Sequence, residues 1–302
     1  ELDFSFRNIL EKNACLSALY LCSVSKLSTS LFSVKCPSLQ TLRLIDCAFK
    51  NKDLKALLCV LDGNLLKLEI KDCYIDSEQV HTIADHCPKL TALFINTHQP
   101  IGSALVTVSE KCTFIRNLQV GGVPLLDGEL QAIISNLTEL RTLRLENIWT
   151  VSDRDLEHLG EIHGGTLTHL SIHHCPTYTA HGMCVLLEAC PELQELCLFS
   201  KNAQITPEVI ESLQHTMIYS LYISSSTTTE VKNAICEFED GIFVLGLYCD
   251  CPIDDIVRIA AEQKCLERLY LIGVQPGVID RVRAANAVVN IIEVDKFPEF
   301  EF

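Results

Sequence analysis

One six-residue pattern recurs along the chain and limits what the chain can fold into. Residues 193–198 read LQELCL, with apolar residues at the first, fourth and sixth positions, and the same pattern occurs at 39–44, 90–95, 140–145 and 167–172. A repeat of this length indicates stacked structural units rather than independent domains. We therefore expect one elongated domain over 1–302, with caps at 1–14 and 295–302, although length alone favours two domains of about 150 residues.

The fourth position of the pattern marks each unit. These markers are Leu19, Leu42, Leu68, Leu93, Leu118, Leu143, Leu170, Leu196, Leu221, Leu245, Leu269 and Ile292. Successive markers such as Leu42, Leu68 and Leu93 are 26 and 25 residues apart, within the range of about 20–29 residues that is typical of leucine-rich repeats. The sequence thus indicates about twelve leucine-rich-repeat units.

Each unit combines a strand pattern with a helix pattern. The marker region alternates apolar and polar residues with period two, and a stretch with helical spacing follows, as at 152–159 and 206–213. We expect Asp127 to cap a helix over 127–134, and the hydroxyls of the polar run 224–229 to cap the next helix from an exposed loop. The predicted fold is an α/β leucine-rich-repeat solenoid, a horseshoe with a parallel sheet on its concave face and helices on its convex face.

Charge and composition exclude several classes of partner. The net charge is -15, from 24 basic and 39 acidic residues, so the surface repels phosphate backbones on average. No apolar run approaches the roughly 18 residues of a membrane helix. Gly121 and Gly122 follow a strand pattern without the lysine and spacing of a phosphate-binding loop. We expect no nucleic-acid partner, no membrane partner and no cofactor.

The sixteen cysteines fit either a secreted disulfide framework or a reduced intracellular protein. Their phase in the repeat favours the second. Four lie six residues before a marker and three lie five residues after one, which is the behaviour of small buried side chains. These cysteines are Cys36, Cys87, Cys112 and Cys190 in the first group and Cys47, Cys73 and Cys175 in the second. The expected location is the cytoplasm or nucleus, a reducing compartment.

The phrase Cys-Pro-x-Leu before a strand, at Cys36, Cys87 and Cys190, resembles the cysteine-containing subfamily of leucine-rich repeats. This subfamily is known from F-box proteins, in which the repeats select substrates for a cullin-RING ubiquitin ligase. The resemblance implies a substrate-recognition surface. An F-box needs a longer segment ahead of the repeats than 1–14, so we expect none in this chain, and a ligase adaptor would bind through a segment that is not present here.

Side chains between the inward leucines form three outward columns on the predicted sheet. Units seven to eleven place aromatic, histidine and arginine side chains there, a composition typical of interaction hot spots. The candidate partner-binding residues are His169, His173, Phe199, Tyr222, Tyr248, Arg268 and Tyr270. The alternative is that the chain's own tail or loops cover these aromatic side chains. Four basic residues form a secondary patch that could attract an acidic segment: Arg43, Lys67, Lys71 and Arg144. The alternative is a solvated surface whose positive charge is reduced by Glu69 and Glu146.

Two possible chemical sites are weaker. His173, His174 and Cys175 are adjacent, but alternation along a strand points their side chains in different directions, so we expect no metal site. Cys197 faces outward, but its neighbour in the same column, from the preceding repeat, is Ser171, and we expect no base beside it. We therefore assign no catalytic residue.

These patterns predict a non-enzymatic module for protein–protein interaction that binds protein partners on its concave face. Substrate recognition for a cullin-RING ubiquitin ligase is the leading hypothesis. The alternatives are a structural or assembly scaffold, and an effector or inhibitor that clamps a partner enzyme.

Overall fold

The repeated leucines form the core behind a series of parallel strands. In a computed structural model, Leu39, Leu42 and Leu44 of one repeat are fully buried, as are Leu193 and Leu196 of another. Residues between them, such as Arg43, point to the other side of the sheet and are less buried. This alternation is the direct result of the two-residue period of a strand.

The structure describes residues 13, 15–24, 35–61, 63–199, 205–223, 228–238, 241–248, 252–272 and 277–294. The predicted caps at 1–14 and 295–302 lie outside these ranges except for Asn13, and so do residues 224–227 of the polar run. The chain divides into unit 1, residues 1–150, and unit 2, residues 151–302.

In unit 1, each described strand pairs in parallel with the next strand along the chain, and the markers align, for example Leu42 with Leu68. The strands are β1 Ala18–Cys22, β2 Thr41–Ile45, β3 Lys67–Lys71, β4 Ala92–Asn96, β5 Asn117–Gly121 and β6 Thr142–Glu146. The helices are α1 Asn51–Val60, α2 Ser77–His86, α3 Gly102–Lys111 and α4 Glu129–Asn136. A helix between consecutive strands is the usual connection of a parallel sheet.

Unit 2 follows the same plan, again with parallel pairing in chain order. Its strands are β7 His169–His173, β8 Glu195–Phe199, β9 Ser220–Ile223, β10 Val244–Tyr248, β11 Arg268–Ile272 and β12 Asn290–Glu293. Its helices are α5 Asp153–His163, α6 Ala180–Ala189, α7 Pro207–Ser212, α8 Thr229–Glu237, α9 Ile253–Glu262 and α10 Val278–Ala285. A short 3-10 helix, Leu213–His215, follows α7.

The last marker is wrong by one residue. Leu269 pairs with Ile291, so the residue equivalent to the earlier markers is Ile291 and not Ile292. Two adjacent isoleucines satisfy the apolar pattern equally well, and only the pairing of β12 with β11 decides between them. Because side chains alternate along a strand, this shift exchanges which isoleucine faces the core.

The helix starts agree with the sequence in three cases and differ in one. Ser152 and Asp155 form a capping box at α5, Pro207 is the first residue of α7, and the Thr228 side chain accepts the Val231 N–H at α8. The predicted cap Asp127 is wrong, because α4 begins after Gly128, whose φ is 82°. There the Leu126 N–H donates to the Glu129 carboxylate at 2.7 Å, so Glu129 rather than Asp127 provides the side-chain hydrogen bond of this turn.

A turn in left-handed conformation ends many of the strands, four residues after the marker. Its N–H extends the sheet ladder, as when Asp46 donates to the Lys71 carbonyl at 3.0 Å and Gly122 donates to that of Glu146 at 2.7 Å. Non-glycine residues with this conformation are Ser23, Asp46, Asp72, Asn147 and His174. Gly122 has φ 69°, and a Cβ there would lie 2.9 Å from the Thr97 carbonyl oxygen, so the position requires glycine.

The seven cysteines that follow the repeat phase are all buried, at 5% exposure or less, as predicted. The Cys47 thiol donates to the Ile45 and Leu21 carbonyls at 3.2 and 3.3 Å, which satisfies strand-end backbone groups. Burial raises the pKa of Cys87 and Cys190 to about 12. Fourteen cysteines lie in the described part of the chain, and no disulfide joins any two of them.

Among the helices of the described ranges, none combines the length and the apolar character needed to cross a membrane.

Candidate protein-binding site

The sheet of unit 2 presents one side to the core and the other to the outward columns. We call the outward side of β7–β11 the unit 2 face. Pairing aligns its middle column as Ser171, Cys197, Tyr222, Gly246 and Tyr270. The candidate partner-binding residues all belong to these strands and to the outward columns; the side chain of Tyr248 lies outside the described part of the structure.

An apolar cluster occupies the centre of the unit 2 face. It consists of Cys197, Phe199, Tyr222, Val244 and Ile272, each between 4% and 8% exposed, with Tyr270 and Val294 packed against it. The Tyr222 and Tyr270 rings lie 6.0 Å apart across Gly246, which has no side chain to separate them. We expected Phe199 and Tyr222 to be exposed; they are buried because aliphatic side chains from neighbouring columns pack around them.

His173 contacts three side chains at the polar edge of this cluster. Its Nε2 lies 2.8 Å from the Ser171 Oγ and 3.2 Å from the Cys197 Sγ, and its ring meets Phe199 edge to face with centroids 4.7 Å apart. The expectation that no base lies beside Cys197 is therefore wrong. A histidine two residues further along the neighbouring strand reaches the thiol diagonally, a contact that comparison of directly paired residues misses.

The Cys197–His173 pair has the spacing of a nucleophile and its base. However, Cys197 is 4% exposed and Ser171 is 1% exposed, so neither side chain is open to a substrate. Reactive cysteines are partly exposed and lie in electropositive surroundings. The geometry therefore favours a role for His173 in fixing the edge of the apolar cluster.

Glu195 and His169 form a second polar pair on the unit 2 face, with Oε2 and Nε2 3.8 Å apart. Burial raises the pKa of Glu195 to about 7, and burial lowers the pKa of His169. The Tyr222 pKa is also raised, first by burial and then by the charge of Glu195. Arg268, by contrast, is exposed at the edge of this face, and its charge acts on Tyr222 in the opposite direction.

We predict that Glu195→Gln makes the chain more stable at pH 8 and changes its stability little at pH 4. Because the folded pKa of about 7 lies above the ordinary 4.5, the folded chain binds more protons between these values. The free energy of unfolding therefore falls as pH rises from 4.5 to 7, and the cost of the buried charge is fully present above 7. Neutral His169 does not offset that charge above pH 7.

Urea denaturation from pH 4 to pH 8 measures this effect, with Glu192→Gln, an exposed glutamate of the same unit, as the matched control. If Glu195→Gln raised the free energy of unfolding equally at pH 4 and pH 8, the burial of Glu195 would not be the cause of a raised pKa.

The basic patch of unit 1 is largely engaged by its own neighbours. The Arg43 Nε lies 2.6 Å from the Glu69 Oε2, and the Arg43 guanidinium lies 5.2 Å from the Tyr20 ring centre. The Lys67 ammonium lies 5.2 Å from the centre of the Phe94 ring. Lys71 and Arg144 are half-buried, and the Arg144 Nε has no hydrogen-bond partner among the described residues. The outward side of unit 1 is thus a surface of mixed charge.

The histidines at the end of β7 do not converge on one point. The His173 ring lies over Ser171 and Cys197, whereas exposed His174 occupies the left-handed turn and the buried Cys175 thiol donates to the His173 carbonyl at 3.4 Å. No cluster of three or more candidate metal ligands occurs within the described ranges.

Sequence reasoning missed three residues that shape the unit 2 face: Glu195, Val244 and Ile272. Val244 and Ile272 place aliphatic side chains in the outward columns. Their presence in the sequence was the available indication that Phe199 and Tyr222 are packed rather than exposed. No sequence signal indicates the raised pKa of Glu195, because it depends on how deeply the neighbouring columns bury the carboxyl group.

Comparison with known proteins supports the architecture. No protein-family model matches the chain, and neither does any curated protein sequence. Among solved structures, an internalin, InlF, from Listeria monocytogenes is similar at 14% identity with a TM-score of 0.51, over 99% of this chain and 95% of that chain. The fold is that of a leucine-rich-repeat solenoid. A chain from the Rad7 and Elc1 complex in yeast is similar at 14% identity with a TM-score of 0.49, over 95% of this chain and 86% of that one.

Proposed function

We propose that the chain is a protein-binding module and that the unit 2 face recognises a partner segment with apolar and acidic side chains. The observation that carries the proposal is that half-buried His173 and Tyr270 pack against the apolar cluster around Phe199 and Tyr222, with exposed Arg268 at its edge. Apolar and aromatic side chains bounded by a cationic residue match the anatomy of interaction hot spots. His169, His173 and Tyr270 form the surrounding polar and half-buried rim.

The sheet gives this face the rigidity that recognition requires. Each strand of unit 2 is hydrogen-bonded to its described neighbours, and a repeat array stacks its units so that each supports the next. A partner therefore meets side chains already held in place and binds with little loss of their conformational freedom. This function needs neither cofactor nor metal, and we assign no catalytic residue.

A more specific proposal is substrate recognition for a cullin-RING ubiquitin ligase in the cytoplasm or nucleus. It rests on the resemblance of the Cys-Pro-x-Leu phrase to the cysteine-containing repeat subfamily, and on the burial of Cys36, Cys87 and Cys190 in their repeat phase. In this proposal the chain acts as one domain over 1–302, and a ligase adaptor binds through a further segment.

Photo-crosslinking tests the proposed site. Tyr270 and Tyr74 are each replaced by benzoylphenylalanine in separate chains; Tyr270 borders the apolar cluster, whereas Tyr74 is 65% exposed outside the strands of unit 1. After irradiation in native cell extract, we expect adducts of higher mass from position 270 and few from position 74. Adducts from position 74 alone would place the binding surface elsewhere.

A further inference from the structure

Two large apolar side chains of unit 1 lie mostly in solvent. They belong to the loops that follow β5 and β6, residues 122–128 and 147–150, where Leu126 and Trp149 are each 71% exposed and Pro124 is also exposed. We call these two loops the loop edge of unit 1. Trp149 is the single tryptophan of the chain, and the exposure of large apolar side chains in one place is informative in a folded protein.

The exposure of these two side chains follows from how their loops are anchored. Leu125, next to Leu126, is 3% exposed, and Ile148, next to Trp149, is 0% exposed. The Leu126 N–H also donates to the Glu129 carboxylate at 2.7 Å. Because the neighbouring side chains are buried in the core, the loops present Leu126 and Trp149 to solvent from anchored backbone.

The two loops leave the sheet side by side. Strand β5 pairs in parallel with β6, and the Gly122 N–H extends this pairing by donating to the Glu146 carbonyl at 2.7 Å. Pro124 and Trp149 each lie six residues after a marker, so they occupy equivalent positions beyond strands that are roughly 4.8 Å apart. A glutamine, Gln99, has the same position after β4. Packing of the repeat therefore does not require an apolar side chain there.

The charge along the loop edge has one sign. Residues 122–129 and 146–150 contain three carboxylates and neither lysine nor arginine, and the next five residues add two aspartates against one arginine. Of the three carboxylates, Glu129 is used within its turn, whereas Asp127 is exposed and Glu146 is half-buried. The face of an indole ring attracts a cation, and carboxylates attract the same charge. The exposed tryptophan and the carboxylates thus favour the same occupant, a cationic segment.

We propose that the loop edge of unit 1, together with Glu146 beside it, binds a protein segment in which arginine side chains alternate with apolar ones. A guanidinium group lies over the Trp149 indole and near Asp127 or Glu146, and an apolar side chain packs against Leu126. This inference does not rest on the proposed function, because its residues differ from those of the unit 2 face and its partner has the opposite charge.

Tryptophan fluorescence of the purified full-length chain tests the proposal, because the single tryptophan reports on this surface. The probe is the end-blocked peptide Arg-Leu-Gly-Arg-Leu-Gly-Arg, titrated at low salt, and the same peptide with glutamate in place of arginine is its control. The variant Asp127→Asn, Glu146→Gln removes two charges from the surface. Its matched control, Asp85→Asn, Glu110→Gln, removes the same two charges from exposed positions of α2 and α3.

We expect the arginine peptide to change the Trp149 emission with saturation and to reduce its quenching by acrylamide, and the glutamate peptide to do neither. The dissociation constant should rise at least about tenfold in Asp127→Asn, Glu146→Gln and less than about twofold in the control variant.

Three results would each overturn the proposal. The first is an emission that the arginine peptide leaves unchanged, and the second is an equal response to both peptides or an equal loss in both variants. The third is strong protection of Trp149 from acrylamide before any peptide is added, since another part of the chain would then cover the indole.

Discussion

Replacing Phe199 by alanine lowers the free energy of unfolding by about 3–5 kcal/mol, the usual cost of truncating a buried phenylalanine. Phe199 is 8% exposed, packs in the apolar cluster and meets His173 edge to face. Its removal leaves a void in a cluster whose side chains come from four strands, β8 to β11, and it also frees the imidazole that contacts Ser171 and Cys197. Urea denaturation at constant pH measures this loss.

The matched control is Tyr20→Ala, an aromatic truncation on the outward side of unit 1. Tyr20 is 59% exposed, and the Arg43 guanidinium above its ring contributes about 0.5–1 kcal/mol at an exposed site. We therefore expect Tyr20→Ala to cost at most about 1 kcal/mol. A loss for Phe199→Ala no larger than that of Tyr20→Ala would show that the face of unit 2 is not a packed cluster.

The repeat pattern predicts most of the architecture because each inward leucine has the same surroundings in every repeat. Leu42, Leu143 and Leu196 are all fully buried, and the phase of Cys87 and Cys190 predicts their burial equally well. Ile292 shows the limit of the pattern at the end of unit 2. There two isoleucines fit equally, and the register of β12 depends on pairing with β11 rather than on composition.

The surface properties of the unit 2 face depend on contacts that the pattern does not contain. Alternation places Phe199 and Tyr222 outward but does not tell how deeply Val244 and Ile272 bury them. The diagonal contact of His173 with Cys197 and the burial that raises the pKa of Glu195 also arise from packing between strands. A sequence therefore predicts which residues share this face, and the structure adds which of them are accessible.

Recognition by the unit 2 face should depend on the charge of Arg268. This side chain is exposed beside the apolar cluster, and reversing its charge adds repulsion toward an acidic segment. We expect Arg268→Glu to weaken the captured partner's binding about tenfold, which corresponds to about 1.4 kcal/mol, at low salt. The effect should decrease at high salt, because exposed charges are screened.

Arg283→Glu makes the same change of net charge on an exposed position of α10 and is the matched control. The decisive measurement is the dissociation constant of the captured partner for the unchanged chain and for these two variants at two salt concentrations. The proposed function predicts a salt-sensitive, roughly tenfold loss for Arg268→Glu and little change for Arg283→Glu. Equal affinities of all three chains, or equal losses for both variants, would contradict recognition by the unit 2 face.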